Sequence, residues 1–203
     1  MTLILKGLYL GGIIDLTPLF LYDHHIKTII NVAKECKSFH DDYVDRKDME
    51  VFYYPIEDTN MDISNEMRFI TDLIHTQLEK GNVLIHCRAG ISRSASIVLA
   101  YLVIKYHYTL HDAYEYTRGL RAILPNPYFM IQLIHLERQI LQINSFKDLL
   151  EDYFVNFIMR SLNLPKSRLK EVKRLFLIHD KDIWTTVSNI HRRIPPKSQS
   201  AHL

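Results

Sequence analysis

VLIHCRAGISRSASIVLAYLV, residues Val83 to Val103, is the stretch whose reading decides the fold. It continues a short apolar run, NVLIH from Asn82, of the kind that forms a strand buried on both faces of a parallel sheet. It ends inside Ala95 to Tyr106, which reads as a largely buried helix. Between the two lie Arg88, Ala89, Gly90, Ile91, Ser92 and Arg93, and one of only two cysteines, Cys87, stands where the strand gives way. A strand that hands over to a helix near Ser92 or Ser94 places the intervening loop at a helix N-terminus. There, unpaired backbone N–H groups and the helix dipole favour an anion.

Outward from this segment, strand and helix signals alternate. GLYLGG, KTIINV (Lys27 to Val32) and VFYYPI (Val51 to Ile56) are short β-branched or aromatic runs that predict strands. IDLTPLFLYDHHI has apolar spacing that suits a helix. In SNEMRFITDLIHTQLEKG, residues Met67, Ile70, Leu73, Ile74 and Leu78 recur at helical spacing, with Gly81 as the stop. TLHDAYEYTRGLR opens on Thr109 and Asp112 in a capping-box pattern. PNPYFMIQLIHLERQIL begins with Asn126 as an N-cap and Pro127 in the first turn, and runs to Ile143. The expected fold class is α/β, a central mostly parallel sheet flanked by helices. Residues 144–194 add an all-helical extension. In it SFKDLLEDYFVNFIMRSL lines Phe146, Leu149, Tyr153, Phe154 and Ile158 on one face, Pro165 breaks the chain, and SRLKEVKRLFLI and DIWTTVSNIHRRI continue as amphipathic helices. The tail 195–203 reads as disordered.

Composition bounds the function. With 203 residues and 47% hydrophobic content the chain can bury one sizeable core and a small second module. A net charge of +2 gives no general case for nucleic acid, and no apolar run reaches the length of a membrane span. The N-terminal residues lack the pattern of a secretory signal, and two cysteines make no disulfide framework, so an intracellular, cytoplasmic location is expected, with the nucleus left open. The basic excess falls after residue 143. Three readings of the extension stay open: a helical lid, a surface for homodimerisation or partner docking, and a contact to membrane or nucleic acid.

The loop between strand and helix carries the chemistry. Its position favours the thiolate form of Cys87 near neutral pH and cradles a phosphate dianion beside that sulfur. Arg93, at the far end of the loop, can grip two phosphate oxygens with its planar fork. Gly90 lets the backbone turn with its amides facing inward. Attack of sulfur on phosphorus, giving a phosphocysteine, is the reaction that fits. A cysteine is more often an inert buried hydrophobe, and that reading suits Cys36, with a disulfide to Cys87 as its alternative. For Cys87 it fails, because Arg93 at that spacing has no packing reason.

Cys87 through Arg93 followed by Ser94 resembles the Cys-x5-Arg-Ser/Thr loop of the protein tyrosine phosphatase superfamily, and HCRAGISRSA is most similar to its dual-specificity phosphatases. LYLGG, INVA, EDT and PNPYFMIQL are similar to further elements of that family, in the same order. The resemblance covers residues 1–143, the expected catalytic domain, and implies a two-step reaction that needs no metal and no cofactor. It implies that His86 orders the loop around the thiolate and that the Ser94 hydroxyl stabilises the departing sulfur, with plain helix capping as the alternative for Ser94. Arg88 becomes a rim residue whose backbone lines the cradle.

Family members use an aspartate upstream of the cysteine as general acid, which points to Asp58 in IEDTN. Asp62 reads better as an N-cap, and Glu57 is the remaining competitor. Asn126 has two compatible jobs: helix cap and, as the resemblance suggests, a side chain that pins the phosphate loop. Beside the longer domain of classical tyrosine-specific relatives, the resemblance implies a shallow cleft that admits phosphotyrosine, phosphoserine and phosphothreonine on a phosphoprotein substrate. Phosphoinositides and RNA 5′ ends are the alternative substrates. A phospho-binding pseudophosphatase or scaffold is the alternative of another class.

Overall fold

The computed structural model describes residues 1–44, 48–147 and 149–178. Five strands, β1 (Thr2–Leu5), β2 (Leu8–Gly12), β3 (Ile26–Asn31), β4 (Glu50–Tyr53) and β5 (Asn82–Cys87), form one sheet of order β1-β2-β5-β3-β4. Only β1 runs antiparallel, against β2; the other three pairings are parallel. The mostly parallel α/β sheet read from the sequence is therefore the one found. Its central strand is β5, with Val83 to Cys87 buried, and so the apolar run carries no polar face.

Six helices belong to the same unit: α1 (Pro18–Asp23), α2 (Lys37–Val44), α3 (Ser64–Leu78), α4 (Arg93–Tyr106), α5 (Leu110–Leu120) and α6 (Pro127–Leu141). Leu16, Leu21, Ile26, Ile29 and Leu84 fill one side of the sheet. Helix α4 packs on β5 and is itself surrounded by α3, α5 and α6. Every residue from Arg93 to Val103 is buried, which explains a helix without a polar stripe. Since β5 and α4 both lie in the core, the five residues joining them start and end on fixed points.

The structure corrects several boundaries. IDLTPLFLYDHHI is not one helix: a 3-10 turn, Ile13–Asp15, precedes α1. Pro18 holds Thr17 extended and Thr17 Oγ1 accepts the Phe20 N–H at 3.2 Å, so a new helix starts there. Strands β1 and helix α2 were not expected, and β4 stops at Tyr53, short of Ile56. The buried stripe of α3 is Met67, Ile70, Thr71, Ile74 and Gln77, with Leu73 and Leu78 half-buried at its margin. Gln77 earns its place by accepting from Thr28 Oγ1 at 3.1 Å and donating to Glu50 Oε2 at 3.0 Å. At α5, Thr109 Oγ1 accepts the Asp112 N–H at 3.0 Å, but Asp112 answers through that hydroxyl and not through the Thr109 backbone amide. Helix α6 ends at Leu141 with Gln142 in the left-handed region.

Buried Glu137 on α6 ties the unit together. Its carboxylate accepts from the Leu110 N–H at 2.7 Å, the Ser145 N–H at 2.9 Å and Ser145 Oγ at 2.5 Å. Glu137→Ala leaves those donors buried and unmatched, and is expected to cost about 2–4 kcal/mol in urea unfolding. A loss below about 1 kcal/mol contradicts the account.

The chain divides after Phe146 into two compact units. Phe146 does not join the helical extension: it is buried in the first unit with its ring edge-on to Tyr114, centroids 5.4 Å apart. In the second unit α7 (Leu150–Ser161) and α8 (Leu169–Ile178) pack through Phe154 and Phe176, their rings 6.1 Å apart. Asn163, in the left-handed region, ends α7 before Pro165 is reached. The stretches DIWTTVSNIHRRI and PPKSQSAHL lie outside the described residues.

Candidate active site

Cys87 closes β5 and Ser92 is the N-cap of α4, so residues 88–92 form the loop at a 14-residue helix's N-terminus. The Cys87 sulfur lies at its mouth and receives two hydrogen bonds, from the Gly90 N–H at 3.3 Å and from Ser94 Oγ at 3.2 Å. Both are partners that a sulfur anion favours. The Ser94 hydroxyl thus serves the sulfur. Gly90 has φ +71°, and a Cβ there would lie 2.4 Å from Gly11 O. Gly12 approaches just as closely: a Cβ there would sit 2.7 Å from the Ala89 carbonyl carbon. Glycine is required at both points for β2 and the loop to touch. His86 is buried, with Nδ1 3.2 Å from Cys87 O, while Arg88 and Ala89 are exposed on the rim.

Arg93, first residue of α4, is buried, and its guanidinium is held from behind. Nη1 and Nη2 each donate to Glu35 at 2.5 Å, and Nη1 also donates to Ile56 O at 3.2 Å. Nε has no hydrogen-bond partner among the described residues and lies 3.8 Å from Asp58 Oδ2. Burial works against the Arg93 charge, but the Glu35 bonds together with the Cys87 and Asp58 charges outweigh it, so the cation is secured. Glu35 was not read from the sequence. It sits in a 3-10 turn (Lys34–Cys36) after β3, and no spacing in KEC announces a partner at position 93.

The Arg93 hydrogen bonds hold the Glu35 carboxyl below the usual carboxylate range, against the opposing pull of burial. A depressed folded value means that Glu35 contributes stability above the ordinary carboxylate range and loses it as pH falls through the folded value. The side chain is 43% exposed, so solvent screens the pair. Thermal melts of the protein and of Glu35→Gln are expected to differ at neutral pH and to converge in acid; a difference that persists at the lowest pH contradicts this.

The three acidic candidates of the sequence separate cleanly. Asp58 Oδ1 accepts from Ser92 Oγ at 2.7 Å and from Asn126 Nδ2 at 2.8 Å, which brings Asp58 to the loop. Glu57 pairs with Lys34 at 2.6 Å, both exposed. Asp62 accepts the Ser64 N–H at 3.0 Å, one residue before the α3 N-cap, which is Ile63. Asn126 caps α6 through Oδ1, accepting the Phe129 N–H at 3.0 Å. Its Nδ2 donates to Asp58 Oδ1 and to Thr59 O and not to the 88–92 loop; that loop is held by the Asn126 backbone N–H, which donates to Ser92 Oγ at 3.0 Å. Cys36 and Cys87 are free thiols, and burial pushes the Cys36 thiol up.

Residues 8–139 match the family described as dual specificity phosphatase, catalytic domain. The chain belongs to that family. It is 37% identical over 148 residues to dual specificity protein phosphatase 18 of Mus musculus, covering 70% of this chain and 75% of that protein. It is 34% identical to putative tyrosine phosphatase 123R of Invertebrate iridescent virus 6, covering 71% of this chain and 97% of that one. Among solved structures it is similar to the human tyrosine phosphatase-like serine/threonine/tyrosine-interacting protein. That match has a TM-score of 0.60 and 28% identity, over 70% of this chain and 97% of that one. The dual specificity phosphatase match covers both the Cys87 loop and the Asp58 segment. Among the described residues no helix is long and apolar enough to cross a membrane, and no group of three or more His, Cys, Asp or Glu is placed to hold a metal ion.

Proposed function

We propose that the chain is a protein phosphatase that removes phosphate from tyrosine and from serine or threonine through a phosphocysteine on Cys87. The observation that carries the reading is the Cys87 sulfur with hydrogen bonds from Gly90 N–H and Ser94 Oγ, a few residues from a buried guanidinium whose Nε is unspent. In the first step sulfur attacks phosphorus and the P–O bond to the substrate oxygen breaks. Asp58 gives that oxygen a proton, without which an alkoxide leaves poorly. Oδ1 of Asp58 already accepts two hydrogen bonds, so the proton belongs on Oδ2, the oxygen nearer Arg93 Nε. In the second step ionised Asp58 takes a proton from water as its oxygen attacks phosphorus, and the thiolate departs with the Ser94 hydroxyl still bonded to it. Arg93 and the loop amides carry the charge on the equatorial oxygens throughout. Sulfur supplies the nucleophile and protein donors supply the electrostatics, so no step calls on a metal.

The reading places catalysis within residues 1–143, and treats 144–194 as a separate helical extension and 195–203 as a tail. It places the protein in the cytoplasm or nucleus, with a phosphoprotein as substrate. A phosphotyrosine analogue and phosphoserine and phosphothreonine peptides, each assayed with and without vanadate, test it. Vanadate-sensitive release of phosphate from both kinds of substrate supports the reading. Tight phosphopeptide binding with no turnover would replace it by a scaffold role.

A further inference from the structure

The loop amides can face a phosphate only if the loop carbonyls face away, because C=O and the next N–H point oppositely across a trans peptide. Four successive carbonyls are taken from outside. Arg88 O accepts the Ile13 N–H at 3.0 Å and Ile91 O accepts the Leu124 N–H at 2.9 Å. The middle two belong to one side chain: Arg121 donates from Nη2 to Ala89 O and from Nε to Gly90 O, both at 3.0 Å. Those two carbonyls fix the amides of Gly90 and Ile91, and the Gly90 N–H is the one that reaches the Cys87 sulfur.

Arg121 is held in turn. It follows the last residue of α5, its Nη2 lies 3.5 Å from Asp15 Oδ2, and its Nη1 donates to Thr2 Oγ1 at 3.4 Å. Asp15 Oδ2 also accepts the Gly12 N–H at 2.9 Å, beside the point where β2 touches the loop. A side chain at position 90 would strike the guanidinium, with Nη2 only 2.6 Å from a Cβ there, so Gly90 also makes room for this contact.

From this geometry we infer that Arg121, anchored by Asp15, is a positioning residue for the reaction: its fork turns the Ala89 and Gly90 carbonyls outward and so sets the amides that receive the phosphoryl oxygens. The inference rests on the phosphatase reading and adds to it a residue that touches neither substrate nor sulfur. Arginine suits the task because one planar group serves two parallel acceptors, which an ammonium cannot do.

Steady-state kinetics on a phosphotyrosine analogue and inhibition by vanadate test it, on protein shown by circular dichroism to be folded. Arg121→Met is expected to raise the vanadate inhibition constant and lower kcat/KM, each on the order of 10- to 100-fold, as for reacting groups displaced by about 1 Å. Arg121→Lys, with the charge but not the fork, should recover only part of the loss. A merely structural tie would lower the melting temperature and leave vanadate affinity alone, and that result overturns the inference. If Arg121→Met does not fold, Arg121→Lys decides: weakened vanadate binding supports the role and wild-type binding overturns it. Wild-type protein that neither turns over nor binds vanadate would defeat the phosphatase reading itself; wild-type activity beside an unaffected Arg121→Met defeats this inference alone.

Discussion

Cys87→Ser is expected to abolish turnover, by about 10,000-fold or more, while phosphopeptide binding survives. The reason is chemical and local. The Ser94 hydroxyl and the Gly90 amide are placed to support negative charge on sulfur. A serine hydroxyl at position 87 remains protonated at neutral pH and is a far weaker nucleophile than a thiolate. Arg93, the loop amides and Asp58 do not depend on the sulfur for their positions: Arg93 is fixed by Glu35 and Ile56 O, and Asp58 by Ser92 and Asn126. Phosphate affinity therefore outlasts catalysis, and the variant should hold a phosphopeptide. Substantial turnover by Cys87→Ser would contradict the mechanism.

Asp58→Ala carries the second large effect, a fall in kcat of roughly 100-fold or more on substrates with poor leaving groups, with phosphate affinity kept. The loss should shrink for an aryl phosphate whose leaving group departs without a proton. Asp62→Ala separates this claim from its rival. The Asp62 carboxylate accepts the Ser64 N–H at the start of α3, so its removal should touch stability and leave turnover near wild type. If Asp62→Ala proved the more damaging change, the acid would be misassigned.

Much of this was legible in the sequence because it is local. A continuous apolar strand, a cysteine, five loop residues, an arginine and a buried helix are adjacent in the chain, so their order fixes their geometry. The same holds for Asn126 and Pro127 at the start of α6. What escaped is what folding brings together from afar. Glu35 meets Arg93 across 58 positions and Arg121 meets Gly90 across 31, and neither partner sits in a periodic pattern that marks it. Helix α2 shows no clean apolar stripe, and β1 is short enough to pass for a lead-in to GLYLGG. Asn126 was read correctly as a cap, but the target of its amide depended on where the loop after β4 returned. That return follows no local rule, since Tyr54 to Ile63 contains no regular element.

The most direct measurement is to look for the covalent intermediate. The protein, and Ser94→Ala to slow the second step, would be mixed with a phosphorylated substrate in excess, quenched in acid within the first turnovers and digested. The mechanism predicts a phosphoryl group on the peptide containing Cys87, more of it in Ser94→Ala than in wild type. Rapid turnover with phosphate passing straight to water, and Cys87 never phosphorylated, would contradict it.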